Sequence, residues 1–168
     1  MNILGHDSST TAALISEHAT VLGRLCMALL GSQSEAEQAL QDTLLTALAE
    51  PTGARGDAAP RAWLCGIARR KCAQRLAART RERELRQSSG AAPSAPSTSA
   101  DRPIMPQRAR LLLGEIRPSE REALVLRFAA ELSFGELAEA AGIDEATARR
   151  RVSRGLARMR ALLGEEKP

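Results

Sequence analysis

Residues 132–154 read LSFGELAEAAGIDEATARRRVSR, and this stretch decides the fold. Ser133 stands three residues before Glu136, the spacing of a capping box, in which a hydroxyl takes one free amide and a carboxylate takes another. A short helix is therefore expected over Phe134–Ala141. Gly142 ends it, Asp144 caps the next, and a second helix is expected over Glu145–Leu163. Ala138 and Gly142 are the small residues needed where the helices approach and the chain turns. Two helices joined by such a glycine turn form a helix-turn-helix. In the second helix Val152, Leu156, Met159 and Leu163 recur at helical spacing and are assigned to the core. Arg149, Arg150, Arg151, Arg154, Arg158 and Arg160 are left toward solvent against one acid, Glu145. A solvated bundle face would carry the same charge, but not the capped helix and glycine turn ahead of it. Such a helix suits the major groove of a duplex. Glu145, Thr147, Arg149 and Arg150 are then placed toward base edges, and Arg151, Arg154 and Arg158 toward phosphates.

Working toward the N-terminus, Ser119 with Glu122 reads as a second capping box, opening a helix over Glu120–Ala130, and Arg108–Glu115 reads as a short helix ended near Pro118. Residues 87–106, QSSGAAPSAPSTSADRPIMP, hold four of the eight prolines and five serines. Proline breaks helices and serine buries little, so this is read as a flexible linker. It divides the chain into an N-terminal unit, 1–86, and a C-terminal unit, 107–168.

The N-terminal unit has the same punctuation. Leu14, His18, Val21, Leu22, Leu25 and Leu29 mark one amphipathic helix, which Gly31 closes. Ser32 and Glu35 open another, with Ala36, Leu40, Leu44, Ala47 and Leu48 placed inward. Pro51 and Gly53 stop it, and a loop over Pro51–Ala59 follows. Pro60 suits the first turn of a long helix over Arg61–Arg86. Its apolar side holds Trp63, Leu64, Ile67, Ala68 and Leu76, while Arg69, Arg70, Lys71, Arg75, Arg79, Arg81, Arg83 and Arg86 lie mostly on the other.

Composition agrees with an all-helical reading. Hydrophobic residues are 43% of the 168, yet aromatics are 2% with no Tyr, so the cores are built from Leu, Ala, Ile and Val. Charge is segregated: residues 1–50 carry −5, 51–86 carry +7, and 107–168 carry +2. An acidic surface for one partner and basic surfaces for a polyanion are implied. Cys26, Cys65 and Cys72 lack metal-knuckle spacing and are read as buried apolar residues, with a thiol switch as the alternative. No catalytic carboxylate pair, Ser/His/Asp set, phosphate-cradling glycine loop or metal spacing appears, and His6 and His18 stand alone, so neither an enzyme nor a cofactor is expected. No apolar run approaches about 18 residues and no signal peptide is evident, so no membrane span and a cytoplasmic location are expected.

In series, these residues resemble a known family. Residues 35–45, EAEQALQDTLL, resemble the segment by which bacterial sigma factors bind the clamp helices of RNA polymerase. Residues 62–76, AWLCGIARRKCAQRL, resemble the helix that recognises and melts the −10 element. Residues 116–163 resemble the domain that binds the −35 element. The layout is that of the extracytoplasmic-function group. The resemblance implies two small helical domains, a region 2-like bundle of three or four helices and a region 4-like helix-turn-helix. Its implied partners are core RNA polymerase, promoter DNA and an anti-sigma factor, often membrane-tethered, which would itself hold the chain at the membrane.

The residues expected at the polymerase are Glu35, Glu37, Gln38, Gln41 and Asp42; those expected at the −10 strand are Trp63, Arg69, Arg70, Lys71 and Arg75. Family members usually carry aromatics near Leu44 and Leu48, and often Asn and Asp where this chain has Arg70 and Gln74. The 26 residues from Arg81 to Pro106 span roughly 85–95 Å when extended. That is enough to tether two DNA sites about two helical turns apart. The alternatives are a polymerase-independent helix-turn-helix regulator and a thiol-based stress sensor.

Overall fold

The computed structural model describes residues 5–50, 59–90 and 107–164, and every regular element among them is a helix. The N-terminal unit is a three-helix bundle of α1 (Gly5–Leu30), α2 (Gln33–Ala49) and α3 (Pro60–Ser88). The C-terminal unit holds α4 (Gln107–Gly114), α5 (Pro118–Phe128), α6 (Phe134–Ala141) and α7 (Glu145–Gly164). The expected loop over 51–59 and the linker lie almost wholly outside the described residues. The first two residues assigned to the linker, Gln87 and Ser88, are the last residues of α3, so the extended tether counted from Arg81 is corrected: residues 81–88 are helical, and the 18 residues 89–106 span at most roughly 59–65 Å.

The first core is built from Leu22, Leu25, Cys26 and Leu30 of α1, small residues of α2, and Leu64, Ile67, Ala68 and Cys72 of α3. Each fully buried leucine stabilises the fold by about 1.5–3 kcal/mol. On α2 the buried seam is Ala36, Ala39, Thr43 and Ala47. The inward placement of Leu48 is therefore corrected: it is 43% exposed, beside Leu45 at 66%. Small side chains let α2 lie close to its neighbours, and this turns the bulkier leucines outward. Thr43 satisfies its buried hydroxyl by donating to the Ala39 carbonyl at 2.7 Å.

Helix α1 also corrects the expectation that no segment is apolar enough to span a membrane. Thr10–Leu30 has a mean hydropathy of 1.4, although only 22% of that window is buried. The polar triplet Ser16, Glu17 and His18 interrupts the apolar run without lowering the average much. Its Leu22, Leu25, Cys26 and Leu30 pack as those of a core helix, against α2 and α3.

In the second unit Ile116, Leu124, Leu126, Leu132, Leu137 and Val152 close the core. The box of Ser133 and Glu136 forms as read: Ser133 N–H donates to Glu136 Oε2 at 2.8 Å, and Glu136 N–H to Ser133 Oγ at 3.2 Å. Gly142 ends α6 at φ 66°, a left-handed geometry that favours glycine. The box of Ser119 and Glu122 does not form. Pro118 begins α5 two residues earlier than expected, with Arg117 at the cap position and no side-chain cap bond. On α7 the buried residues are Ala148, Val152 and Gly155, and Leu162 rather than Leu163 turns inward; Leu163 is 47% exposed. An added Cβ at Gly155 would lie 2.9 Å from Leu124 Cδ1, so α5 and α7 cross at this glycine.

The two units are packed together, α3 against α6 and α1 against α5. At the closest approach, an added Cβ at Gly66 would lie 3.3 Å from the Ala140 carbonyl oxygen. Arginines flank this seam. Arg61 Nη2 reaches Glu136 Oε2 at 3.3 Å and the Glu131 carbonyl at 3.0 Å. Arg69 bonds Glu122 Oε1 and the Ala140 carbonyl, each at 3.1 Å. Arg24 pairs with Glu131 at 3.3 Å, where the chain takes a positive φ of 56°.

Candidate nucleic-acid interface

The start of α7 is set by Asp144, whose carboxylate accepts from Thr147 N–H at 2.8 Å and from Thr147 Oγ1 at 2.6 Å. The Thr147 hydroxyl and amide hold the Asp144 carboxyl below its ordinary value, so it stays ionised at the positive end of the helix. Thr147 is thereby committed to the cap, and its hydroxyl also accepts from Arg150 Nη2 at 3.0 Å. Glu145 accepts from Arg149 Nε at 3.1 Å, and the Arg149 guanidinium lies 4.4 Å from the Phe134 ring centroid. These contacts hold Arg149 and Arg150, both exposed, at the start of α7.

Thr147, Arg150, Arg151 and Arg154 come together with Arg117, Ser119 and Glu120 around an open basin of about 320 Å³. Spacing along the sequence does not point to Arg117, Ser119 and Glu120 at the start of α5: Ser119 and Glu120 read only as a helix start, and Arg117 carries no motif. Arg158 does not join them; its Nε lies 3.8 Å from Glu120 Oε2. Glu120 is the buried carboxylate of this unit, and its Oε2 has no hydrogen-bond partner.

On α3, Arg70 is exposed, while Trp63 and Lys71 are half-buried. Arg69 and Arg75 do not stand free as the sequence reading placed them. Arg69 is tied to the C-terminal unit, and Arg75 donates to Gln38 Oε1 at 2.8 Å and to Asp42 Oδ2 at 2.6 Å. Residues assigned to two different surfaces are thus joined across α2 and α3. Glu35 likewise pairs with Arg79 at 3.1 Å. What α2 leaves open is a stripe at helical spacing, Glu37, Gln41, Leu45 and Leu48, acidic at one end and apolar at the other. The apolar half was missed because Leu48 had been assigned to the core.

The three thiols are buried as expected. Cys72 shares a hydrogen bond with Cys26; this bond lowers Cys26 and, with burial, raises Cys72. Burial pushes Cys65 up to about 12, against the opposing field of Arg61. Among the described residues, no group of three potential ligands is placed to hold a metal.

An all-helical chain with a capped, arginine-faced helix-turn-helix belongs to the class of helical DNA-binding proteins. Residues 14–82 match the model of sigma-70 region 2, and residues 107–159 match that of sigma-70 region 4. The chain belongs to the sigma-70 family and is a sigma factor of the extracytoplasmic-function group.

Comparison with curated protein sequences gives no match. Among solved structures, the chain is similar to CnrH in complex with the cytosolic domain of CnrY (22% identity, TM-score 0.67, 96% of this chain and 94% of that one). It is similar to the sigma factor RpoE of Bartonella quintana in complex with the anti-sigma factor NepR (27% identity, TM-score 0.67, 90% and 97%). A third is the PhyRSL–NepR complex of Sphingomonas sp. Fr1 (23%, 0.63, 89% and 87%). The family comprises transcription initiation factors, not enzymes.

Proposed function

We propose that this chain binds core RNA polymerase and directs it to promoters, with residues 1–86 serving the polymerase and the −10 element, 107–168 serving the −35 element, and 87–106 tethering them. The observation that carries this reading is the order of the two matched units, region 2 and then region 4, with an arginine-faced helix-turn-helix in the second. The exposed stripe of α2, with Asp42 and Gln38 beside it, offers carboxylate, amide and leucine side chains to a helical partner on the polymerase. Arg70 and Lys71, with Trp63, are the α3 groups for the −10 strand, where cations follow phosphates and an aromatic ring stacks a base. Arg149 and Arg150 read −35 base edges, and Arg151, Arg154 and Arg117 hold the adjoining phosphates around the basin.

Control by an anti-sigma factor is part of the proposal. RpoE, at 27% identity, was solved with NepR bound, and the present chain covers 97% of it. The location is the cytoplasm, and any hold on the membrane comes through that partner. A thiol-based sensor is the weaker reading, because a buried thiol raised to about 12 carries little reactive thiolate at neutral pH.

The test is co-elution with purified core polymerase. Wild-type chain should travel with core on gel filtration, and Gln41→Arg, which alters the exposed stripe without breaking an ion pair, should weaken that association about tenfold. Undiminished co-elution of Q41R would remove α2 from the polymerase surface; absence of wild-type co-elution would remove the sigma reading itself.

A further inference from the structure

Phe134, half-buried at the first position of α6, shares its ring with two arginines of neighbouring helices. The Arg127 guanidinium of α5 lies 5.1 Å from the ring centroid, and that of Arg149 of α7 lies 4.4 Å from it. Both distances fall within the roughly 6 Å over which an aromatic quadrupole attracts a cation. The backbone that carries the ring is well fixed. Ser133, the residue before it, is held by the capping box with Glu136, and Arg127 Nη1 donates to the Leu132 carbonyl at 2.7 Å. Glu145 completes the arrangement. Its Oε1 accepts from both Nε and Nη2 of Arg149, and an added Cβ at Gly135 would lie 3.8 Å from its Oε2. The Glu145 carboxylate therefore rests against the start of α6, one residue past Phe134.

A guanidinium offers a planar face and five donors along its edges. In Arg149 the face meets Phe134, and the edge made of Nε and Nη2 meets one carboxylate oxygen of Glu145. The outer fork of Nη1 and Nη2 is left; among the described residues no group accepts from Nη1. Such a fork matches two acceptors side by side, as O6 and N7 of guanine stand in the major groove. We propose that Phe134 and Glu145 are positioning residues for Arg149: together they hold its plane and rotamer so that the outer fork selects guanine at one −35 position. Glu145 is thereby moved from base contact to support. The proposal rests on the reading of Arg149 as a −35 base contact. Holding a long side chain in its bound rotamer beforehand reduces the freedom lost on binding, and the gain falls on the base that fits the fork. Released from ring and carboxylate, Arg149 would still attract phosphates but would discriminate less between bases.

The test uses holoenzyme, core polymerase with the full chain, and duplex promoter fragments randomised across the −35 element. Bound fragments are sequenced, and the preference for guanine over the other bases is read position by position. Arg149→Ala identifies the position that Arg149 reads. Phe134→Leu keeps an apolar side chain and removes the ring, whereas Phe134→Tyr keeps the ring. Glu145→Gln removes the charge that holds Nε and Nη2. A double variant joins Phe134→Leu to Arg149→Ala.

Arg149→Ala should lower guanine preference at one position by about tenfold. At that same position F134L and E145Q should each lower it about three- to fivefold, and F134Y should keep it within about twofold of the wild type. F134L should add nothing once Arg149 is already Ala. Preferences elsewhere in the element should stay as in the wild type, which a general loss of folding would not produce. Full guanine preference in F134L, an equal loss in F134Y, a loss spread over all positions, or a loss that persists in the R149A background would overturn the positioning role of the ring. A change in E145Q at a different position would make Glu145 a base contact in its own right and overturn its supporting role. If R149A itself keeps every preference, the reading of Arg149 as a base contact fails, and ring and carboxylate have nothing to position.

Discussion

Replacing Gly155 with Ala places two effects of opposite sign in one methyl group. In an exposed helix, Gly→Ala stabilises by about 1 kcal/mol through backbone entropy. At this position the new Cβ would lie 2.9 Å from Leu124 Cδ1, 3.0 Å from Leu124 Cγ and 3.3 Å from the Glu120 carbonyl oxygen. Leu124 is 4% exposed and has little room to retreat, and the carbonyl belongs to α5. Overpacking of this kind costs about 1–3 kcal/mol. The net expectation is a loss of about 1 kcal/mol, or a fall of about 4–8 °C in the melting temperature of a unit this size. Thermal unfolding followed by circular dichroism measures it. The pair Gly155→Ala and Leu124→Ala then separates crowding from other causes. Leu124→Ala alone should cost about 2–5 kcal/mol by leaving a cavity, and the added methyl should recover about 0.5–3 kcal/mol of that in the double variant. A melting temperature that rises with G155A, or strictly additive losses in the pair, would refute the close α5–α7 crossing.

Other outcomes follow from the same contacts. Arg150→Ala should weaken binding of the holoenzyme to its preferred −35 sequence by about 1–3 kcal/mol and relax the preference, as read by competition with altered −35 sequences; equal weakening on every sequence would reduce Arg150 to a phosphate contact. Burial pushes Glu136 up, but the Ser133 amide and hydroxyl, then Arg61, outweigh it and hold the carboxyl below its ordinary value. A carboxyl lowered in the folded state stabilises the fold above the unfolded value, near 4.3, and that stabilisation is lost as pH falls through the lower folded value. Unfolding midpoints measured from pH 6 down to pH 3 should therefore drop in this acid window, and Glu136→Gln should flatten that part of the profile; an unchanged profile would contradict the assignment.

Much of the fold was legible because its punctuation is local. Ser133 with Glu136, Gly142 and Asp144 each act within one turn of their own helix, so spacing alone places them. The α2 seam was harder: Leu40 and Leu44 do pack on the core, but Leu48 shares their helical spacing and is turned out, and only close packing through Ala36, Ala39, Thr43 and Ala47 decides this. Ser119 and Glu122 have the capping-box pattern, but Pro118 starts α5 early and Glu122 turns instead to Arg69. Arg61, Arg69 and Arg75 look alike in sequence whether solvated, paired or ready for DNA. Their partners lie 33–75 positions away, beyond any periodicity. The basin on α7 was half legible for the same reason: four of its residues lie on the arginine helix, and Arg117, Ser119 and Glu120 arrive only through the α5–α7 contact.

In the proposed function, two arginine-bearing helices, brought to polymerase by α2, select where transcription begins. Transcription by purified core enzyme on a library of promoter fragments, with and without the chain and with the 5′ ends of the RNAs sequenced, tests it most directly. New start sites are expected that share paired upstream elements about two helical turns apart and that disappear when Arg149 and Arg150 are both changed to Ala. Start sites identical with and without the wild-type chain would contradict it.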